Sequence, residues 1–222
     1  MMTYQTVTQP LKAIAIGDSL VYGYGDISGG GWAERLRRLW MHPENSGNVL
    51  YNLGVRGDKT SQVAARFDAE FNSRGELRNR VPDVAIISVG TNDTPRLGRP
   101  DGKPMTIENE FKHDLTVLLD NAASRCRTIF IGMVPVVSDR MPFLDCLYYN
   151  RTDQYTYKEI AREMCQIRSI PYLDIFELWT GRGSEWIADR IGADGLHPNE
   201  LGYQSLFDDI VSWSPIVELT AK

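Results

Sequence analysis

Two kinds of hydrophobic pattern alternate along the chain. Mainly apolar runs, with the length of strands buried on both faces, occur at 11–16, 49–53, 84–89, 128–133 and 172–175. Between and after these runs, apolar residues recur at helical spacing, which predicts helices around 32–40, 63–71, 107–122, 154–168 and 201–211. Five strands that alternate with helices predict an α/β fold with a mostly parallel sheet. The apolar residues of the predicted helices are expected to face its core, among them Leu39, Ile107 and Leu201.

The composition fits one ordinary globular domain over residues 1–222. The chain is 42% hydrophobic and 24% charged, and it shows neither an internal repeat nor a linker. A chain of this length buries a full core without help from disulfides or metals. Its net charge of -5 argues against a surface dedicated to nucleic acid.

Cysteine usage and hydropathy indicate a cytoplasmic protein. Cys126, Cys146 and Cys165 are an odd number without CxxC spacing, which argues against a disulfide framework or a zinc cluster. Residues 1–10 lack the basic and apolar regions of a signal peptide. No apolar run approaches the ~18 residues of a membrane span. No metal site is expected, because no two histidines share a helical face and the carboxylates are dispersed.

Polar or glycine-rich residues follow the ends of three predicted strands. Ser19, Gly57 and Asn92 each come after a separate strand, and the carboxyl ends of parallel strands lie along one edge of a sheet. Acyl transfer at a serine needs a base, a carboxylate that orients the base, and donors for an oxyanion. Ser19 is therefore a candidate nucleophile. The alternative is that the Gly-Asp-Ser sequence only forms a turn and a helix cap.

The base must come from three histidines. His42 lies beside a proline at a predicted helix end and His113 lies inside a predicted helix, so surface or packing roles are expected for both. His197 follows Asp194 by three residues, a spacing at which side chains can lie side by side. Asp194 could then hold the imidazole in one tautomer while the other ring nitrogen faces Ser19. A turn at Asp194 with a helix-flanking histidine is the alternative.

Four motifs together resemble the SGNH (GDSL) hydrolase family, named for its marker serine, glycine, asparagine and histidine. They occur in family order: Gly17-Asp18-Ser19-Leu20, the block at 52–58, Gly90-Thr91-Asn92-Asp93, and Asp194-Gly195-Leu196-His197-Pro198. The resemblance implies a three-layer α/β/α fold whose five-stranded parallel sheet has the flavodoxin-like order 2-1-3-4-5. It also implies a serine esterase or thioesterase without a cofactor, acting on a small acyl ester.

The same resemblance assigns roles to residues. Ser19 is expected to attack the acyl carbonyl, His197 to act as general base and then general acid, and Asp194 to orient His197. The oxyanion hole is expected to comprise the N–H of Ser19, the N–H of Gly57 and the side-chain amide of Asn92. The glycine block also contains Gly54; Gly57 is preferred because the Gly-Asp pair before Thr60-Ser61 is similar to the family's arrangement.

Several other polar and apolar residues near the motifs have two interpretations. Asp18, Asp93 and Asp174 are expected to be structural, the first two through backbone hydrogen bonds in their own loops. Phosphate binding at 29–31 is disfavoured because the Gly-x-Gly-x-x-Gly spacing is missing. Apolar residues of the segment 135–150 could line an acyl pocket or only pack the loop: Met141, Phe143, Leu144, Leu147, Tyr148 and Tyr149.

Two alternative functions remain open on the sequence. A carbohydrate O-deacetylase or acyltransferase of the same fold would be expected to have an open and polar cleft. A catalytically silent flavodoxin-like binding module is disfavoured because all five proposed catalytic positions hold competent residue types.

Overall fold

A five-stranded parallel sheet forms the centre of the computed structural model, which describes residues 10–43, 47–74 and 80–220. Its strands, and two short strands that lie outside it, are β1 Lys12–Gly17, β2 Val49–Gly54, β3 Val84–Ser88, β4 Arg96–Leu97, β5 Arg127–Ile131, β6 Leu147–Tyr148 and β7 Tyr172–Leu173. The expectation that residues 1–10 contain no signal peptide concerns residues that, apart from Pro10, fall outside this description.

The strand order confirms the expected topology. The sheet runs β2-β1-β3-β5-β7, which is 2-1-3-4-5 when only its own strands are numbered, and every neighbouring pair is parallel. Strands β4 and β6 form a separate antiparallel pair that the sequence pattern did not indicate. The fifth strand of the sheet is shorter than predicted, because Asp174 ends it by capping the next helix.

Helices connect the strands and extend beyond the last one. They are α1 Ser19–Tyr22, α2 Gly31–Trp40, α3 Thr60–Ser73, α4 Glu108–Arg125, α5 Arg151–Ile167, α6 Ile175–Arg182, α7 Ser184–Arg190, α8 Glu200–Ser212 and α9 Ser214–Thr220. Within the described ranges, no helix is both long enough and apolar enough to cross a bilayer.

Two hydrophobic clusters make the predicted three layers. Successive residues of β1 point to opposite faces, as strand geometry requires. Ala13 and Ala15 pack in one cluster with residues of α2, α6 and α8, whereas Ile14 and Ile16 pack in the other with residues of α3, α4 and α5. The sheet is thus covered on both faces, which explains why its strands are almost continuously apolar.

Three apolar residues expected in the core are exposed. Leu39 lies on the outer side of α2. Ile107 precedes the first turn of α4 as its N-cap residue, so the buried face of that helix begins at Phe111. Leu201 lies in the first turn of α8, where the buried positions are Gly202 and Tyr203. The helical spacing therefore predicted buried faces for α4 and α8 that begin too early at the N-terminal end of each helix.

Candidate active site

The carboxyl edge of the sheet carries a cavity of about 510 Å³. It brings together all five residues to which the motifs gave roles, although they are spread over most of the chain. The cavity is lined by Ser19, Tyr24, Arg56, Gly57, Asn92, Phe143, Leu144, Asp194, Leu196 and His197. His42 and His113 do not line it.

Ser19 is held at the point where β1 turns into α1. Asp18 is the N-cap of this short helix, and its Oδ1 accepts a hydrogen bond from the Leu20 N–H at 2.9 Å. The Asp18 N–H in turn donates to the Ser88 carbonyl at the end of β3. These two bonds fix the backbone before the serine, whose side chain is largely buried.

His197 lies between Ser19 and Asp194. Its Nδ1 is 2.7 Å from Asp194 Oδ2, and its Nε2 is 2.8 Å from Ser19 Oγ. An ionised carboxylate only accepts hydrogen bonds, so Nδ1 carries a proton, and Nε2 of a ring with this single proton accepts from the serine hydroxyl. The three residues expected to be nucleophile, base and orienting acid thus occur in one hydrogen-bonded chain.

The ionised state of Asp194 is supported by its surroundings. Burial opposes its ionisation, but three hydrogen bonds outweigh this and hold the pKa of the carboxyl below its usual value. These bonds come from the His197 ring and from the N–H groups of His197 and Leu196, both of which donate to Oδ1 at 3.0 Å.

The segment that carries Asp194 and His197 is held by Arg140. The guanidinium donates to the carbonyls of Ile191 and Gly192 at 2.7 and 2.8 Å and to the Ala188 carbonyl at 3.0 Å. The segment also closes on itself, since the Gly192 N–H donates to the His197 carbonyl at 2.7 Å. A side chain from a different loop therefore fixes the backbone of this segment.

Three donors expected at the oxyanion position surround the cavity. Gly57 lines it, and no acceptor within the described residues bonds its N–H or that of Ser19. Asn92 Nδ2 donates one hydrogen to the Asp58 carbonyl at 3.0 Å, which leaves its second hydrogen for another acceptor.

The two glycines of the second motif differ in their surroundings. The Gly54 N–H donates to Asn52 Oδ1 at 3.0 Å, and a Cβ on Gly54 would lie 2.1 Å from the Tyr22 nitrogen. Gly57 has φ +82° and open space where a Cβ would be. Gly54 therefore has a packing role, whereas Gly57 borders the cavity.

Tyr149, which was expected to act only through its apolar ring, orients the Asn92 side chain. Tyr149 is almost fully buried, and its hydroxyl donates to Asn92 Oδ1 at 3.2 Å. Burial raises the pKa of this phenol well above its usual value, so it remains a hydrogen-bond donor. Its place in the apolar segment gave no sign of this contact.

Asp18, Asp93 and Asp174 make structural contacts, as expected. Asp93, however, bonds to a residue outside its own loop. It accepts hydrogen bonds from the Thr60 N–H at 3.0 Å and the Thr60 hydroxyl at 2.8 Å, so it joins the start of α3 to its own turn. Burial raises the pKa of Asp93 and raises that of the fully buried Asp18 to about 7. Asp174 caps α6 and accepts from Lys158 Nζ at 3.0 Å.

Aromatic residues surround the His197 ring. The Tyr24 ring centre lies 4.6 Å away and that of Phe143 5.8 Å away, both edge-on. The Arg56 guanidinium carbon lies 3.9 Å from the centre of the Tyr24 ring. Neither Tyr24 nor Arg56 was singled out from the sequence, although Arg56 directly precedes Gly57 in the second motif.

The segment 135–150 divides between the two expected roles. Phe143 and Leu144 line the cavity. Met141 and Leu147 pack instead with Tyr149 in a small separate cluster. Leu144 is 71% exposed and has φ 51°, which is an unusual conformation for a leucine. The loop therefore contributes two apolar side chains to the cavity.

The glycine-rich stretch before α2 binds a carboxylate of the chain itself. The N–H groups of Gly29 and Gly31 donate to Asp26 at 2.8 and 3.0 Å, and Arg35 pairs with the same carboxylate. These amides are therefore occupied by the Asp26 carboxylate. No group of three or more potential metal ligands occurs in the part of the chain that the structure describes.

Solved structures with the same fold include proteins described as esterases and lipases. The lipase/acylhydrolase from Enterococcus faecalis has a TM-score of 0.72 at 23% identity, over 91% of this chain and 94% of its own. The psychrotrophic esterase EstA from Pseudoalteromonas sp. has 0.65 at 19%, over 90% and 94%. Axe2, an acetylxylan esterase from Geobacillus stearothermophilus, has 0.69 at 16%, over 98% of both chains. At these identities the likeness concerns the fold.

The sequence was also compared with curated proteins and with models of protein families. No curated protein matches the sequence. The model of the GDSL-like Lipase/Acylhydrolase family, however, matches residues 15–205, a range that contains all four motifs. The predicted resemblance is thereby confirmed: the chain belongs to the GDSL-like lipase/acylhydrolase family and is an ester-hydrolysing enzyme.

Proposed function

We propose that the protein is a serine esterase that hydrolyses carboxylic esters or thioesters of small molecules through an acyl-enzyme on Ser19. The observation that carries the proposal is the chain of two short contacts from Asp194 through His197 to Ser19 Oγ. A binding module without catalysis has no need for a neutral imidazole that accepts from a serine hydroxyl. The arrangement thus favours an enzyme over a silent flavodoxin-like module.

The proposed reaction has two halves. His197 Nε2 removes the hydroxyl proton as Ser19 Oγ bonds to the carbonyl carbon, and the carbonyl electrons move onto oxygen. When the oxyanion collapses, the bond to the leaving oxygen or sulfur breaks, and His197 returns the proton to it. Water then attacks the acyl-enzyme by the same route and releases the acid and the free serine.

The developing oxyanion needs donors already in place. We assign the N–H groups of Ser19 and Gly57 and the second Nδ2 hydrogen of Asn92 to it, because all three belong to residues that line the cavity. Removal of one such donor typically costs roughly 3–4 kcal/mol of transition-state stabilisation. The substrate carbonyl would lie between Ser19 Oγ and these donors.

Short-chain aryl esters and a fluorophosphonate probe test the proposal. The wild type should hydrolyse at least one ester of the panel and become labelled at Ser19, whereas Ser19→Ala should lose both properties. Ser184→Ala, which changes an exposed serine outside this cavity, is the matched control and should keep both. A wild type that hydrolyses none of the esters and resists the probe would contradict the proposal.

A carbohydrate O-deacetylase is the second candidate. It is favoured by the exposed, polar side of the cavity mouth, where Arg56 lies against Tyr24. Solved acetylxylan esterases share the fold over 91% to 98% of this chain. Release of acetate from acetylated xylan at a higher kcat/KM than from aryl acetates would select this candidate. The reverse order would select the small-molecule esterase.

We also propose that residues 1–222 act as one hydrolase domain. The family match over 15–205 and the coverage of the solved structures support this. Limited proteolysis should leave one fragment that contains Ser19 and His197. Two separately stable fragments would contradict it.

A cytoplasmic location is the remaining proposal. It is supported by three free thiols, of which Cys146 is exposed, since such cysteines suit a reducing compartment. Fractionation of the source cells tests it. Recovery of the protein with the soluble cytoplasmic fraction is the expected result, and recovery from the medium or the membrane fraction would contradict it.

A further inference from the structure

We propose that Arg56 binds a negatively charged group of the substrate, a carboxylate or a phosphate, so that the preferred esters are anionic. This inference rests on the proposed function and adds a substrate class to it. It concerns a residue that takes no part in the acyl transfer itself.

Arg56 lies on the cavity wall beside the groups proposed to react. It precedes Gly57, whose N–H is assigned to the oxyanion, and its guanidinium lies 3.9 Å from the centre of the Tyr24 ring. That ring in turn contacts His197. An anion bound by Arg56 would therefore lie within a short substrate's length of the ester carbonyl.

Among residues 10–43, 47–74 and 80–220, no side chain or carbonyl accepts a hydrogen bond from the Arg56 guanidinium. Sixteen of the seventeen arginines in the described ranges contact a carboxylate or donate to a carbonyl, and Arg56 is the exception. Its guanidinium carbon lies over the Tyr24 ring, and no described residue accepts from its N–H groups. These donors are available to a ligand.

The nearby carboxylates are occupied. Asp58 pairs with Arg66 at 2.7 Å. The Asp194 carboxylate, which lines the cavity, accepts from His197 and from two backbone N–H groups. Arg56 thus supplies a positive charge that is not already neutralised by a partner in its vicinity.

The geometry of the guanidinium defines the ligand. Its planar fork matches the two oxygens of a carboxylate or phosphate, and a charge-assisted bidentate pair is stronger and more directional than a neutral contact. A cation-π contact with Tyr24 holds the fork in place before the substrate arrives. Less order is then lost when the anion binds.

Two matched ester pairs test the inference and identify the position of the charge. Monoethyl succinate and ethyl butyrate differ by a carboxylate on the acyl side. A glycerol monoacetate and its phosphorylated counterpart differ by a phosphate on the alcohol side. Hydrolysis is followed by pH-stat titration, and each pair yields the ratio of kcat/KM for the anionic ester to that for the neutral ester.

The wild type should prefer the anionic member of at least one pair, and Arg56→Gln should lower that ratio roughly fivefold or more. Arg56→Lys should fall between them, because it keeps the charge and loses the fork. The control Arg38→Gln removes an exposed arginine from α2 and should leave the ratio unchanged. Added salt should reduce the preference of the wild type.

The possible failures are distinguishable. If neither wild type nor variants hydrolyse any ester and the probe fails to label Ser19, the proposed function has failed. If the wild type hydrolyses the neutral esters and the ratio is the same in Arg56→Gln for both pairs, the esterase proposal stands and the role of Arg56 is overturned.

Discussion

The Tyr149 hydroxyl donates to Asn92 Oδ1 at 3.2 Å, while Asn92 Nδ2 donates to the Asp58 carbonyl at 3.0 Å. The amide of Asn92 is thus fixed at both ends, and the direction of its remaining hydrogen is set. Tyr149 is therefore a positioning residue for the proposed oxyanion donor. Tyr149→Phe should lower kcat several-fold and change KM little, because the donor contributes mainly when the oxyanion forms.

A double-mutant cycle separates this role from a general effect on the fold. Asn92→Ala should lower kcat by roughly 10²–10³ with little change in the free energy of unfolding. In that background Tyr149→Phe should have no further effect on kcat, because its partner is gone. Equal losses from Tyr149→Phe in both backgrounds would contradict the positioning role.

Alanine at the two glycines of the second motif should have opposite consequences. Gly54→Ala should strongly destabilise the fold, because its Cβ would meet the Tyr22 backbone at 2.1 Å. Gly57→Ala should cost about 1 kcal/mol of stability for its φ of +82°, and should lower kcat/KM because the new methyl group would enter the cavity. Urea unfolding and ester kinetics measure the two effects.

The two glycine variants are controls for each other. Alanine keeps the backbone N–H, so both variants test the space around the donor: full activity in Gly57→Ala would contradict its place beside the reacting carbonyl, and normal folding of Gly54→Ala would contradict its packing role.

Asp194→Asn should reverse the polarity of the hydrogen bonds at His197. The backbone N–H groups of Leu196 and His197 would still need the oxygen of the new amide, so its nitrogen would face Nδ1 and donate to it. The imidazole proton would then move to Nε2, which could no longer accept from Ser19. A fall in kcat of about 10⁴ with little change in unfolding is expected.

The matched measurement for Asp194→Asn is the rate of fluorophosphonate labelling, which should fall together with kcat. A variant that keeps more than a tenth of the wild-type kcat would contradict the assignment of Asp194 as the orienting acid.

Asp18→Asn should change how stability depends on pH. The pKa of Asp18 is raised by burial from 3.8 to about 7 in the folded chain, so between these values the folded state keeps a proton that the unfolded state releases. Rising pH therefore lowers the stability of the wild type across this window. An asparagine can cap α1 equally well and does not titrate, so its variant lacks this decline.

The difference in free energy of unfolding between Asp18→Asn and the wild type should increase by roughly 2–4 kcal/mol in favour of the variant from pH 4 to pH 8. Urea unfolding at pH 4, 6 and 8 measures it, with Ser184→Ala as a control that should follow the wild type. Parallel stability curves for Asp18→Asn and the wild type would show that this carboxyl is not the cause.

The sheet, and the residues that meet in the cavity, could be predicted from the sequence because both leave local signals. The buried strands are almost continuously apolar, and Ser19, Asn92 and His197 occur in short motifs. The strand pair β4–β6 has only two residues on each side, which is too short for any pattern to show. The contacts of Tyr149 with Asn92 and of Asp93 with Thr60 join distant segments, and hydrophobic periodicity carries no information about such pairs.

Arg140 has a consequence for how the protein is inactivated. Asp194 and His197 lie on a segment between α7 and α8 that belongs to no continuous strand or helix ladder. Arg140 holds its Ile191 and Gly192 carbonyls, and a single β-bridge between Ile191 and Pro198 with a few backbone hydrogen bonds adds to this. Segments held by few bonds open at a lower free-energy cost than the core. Mild denaturant should therefore abolish turnover while the circular dichroism of the sheet and helices is still native, so that activity is the earliest indicator of damage.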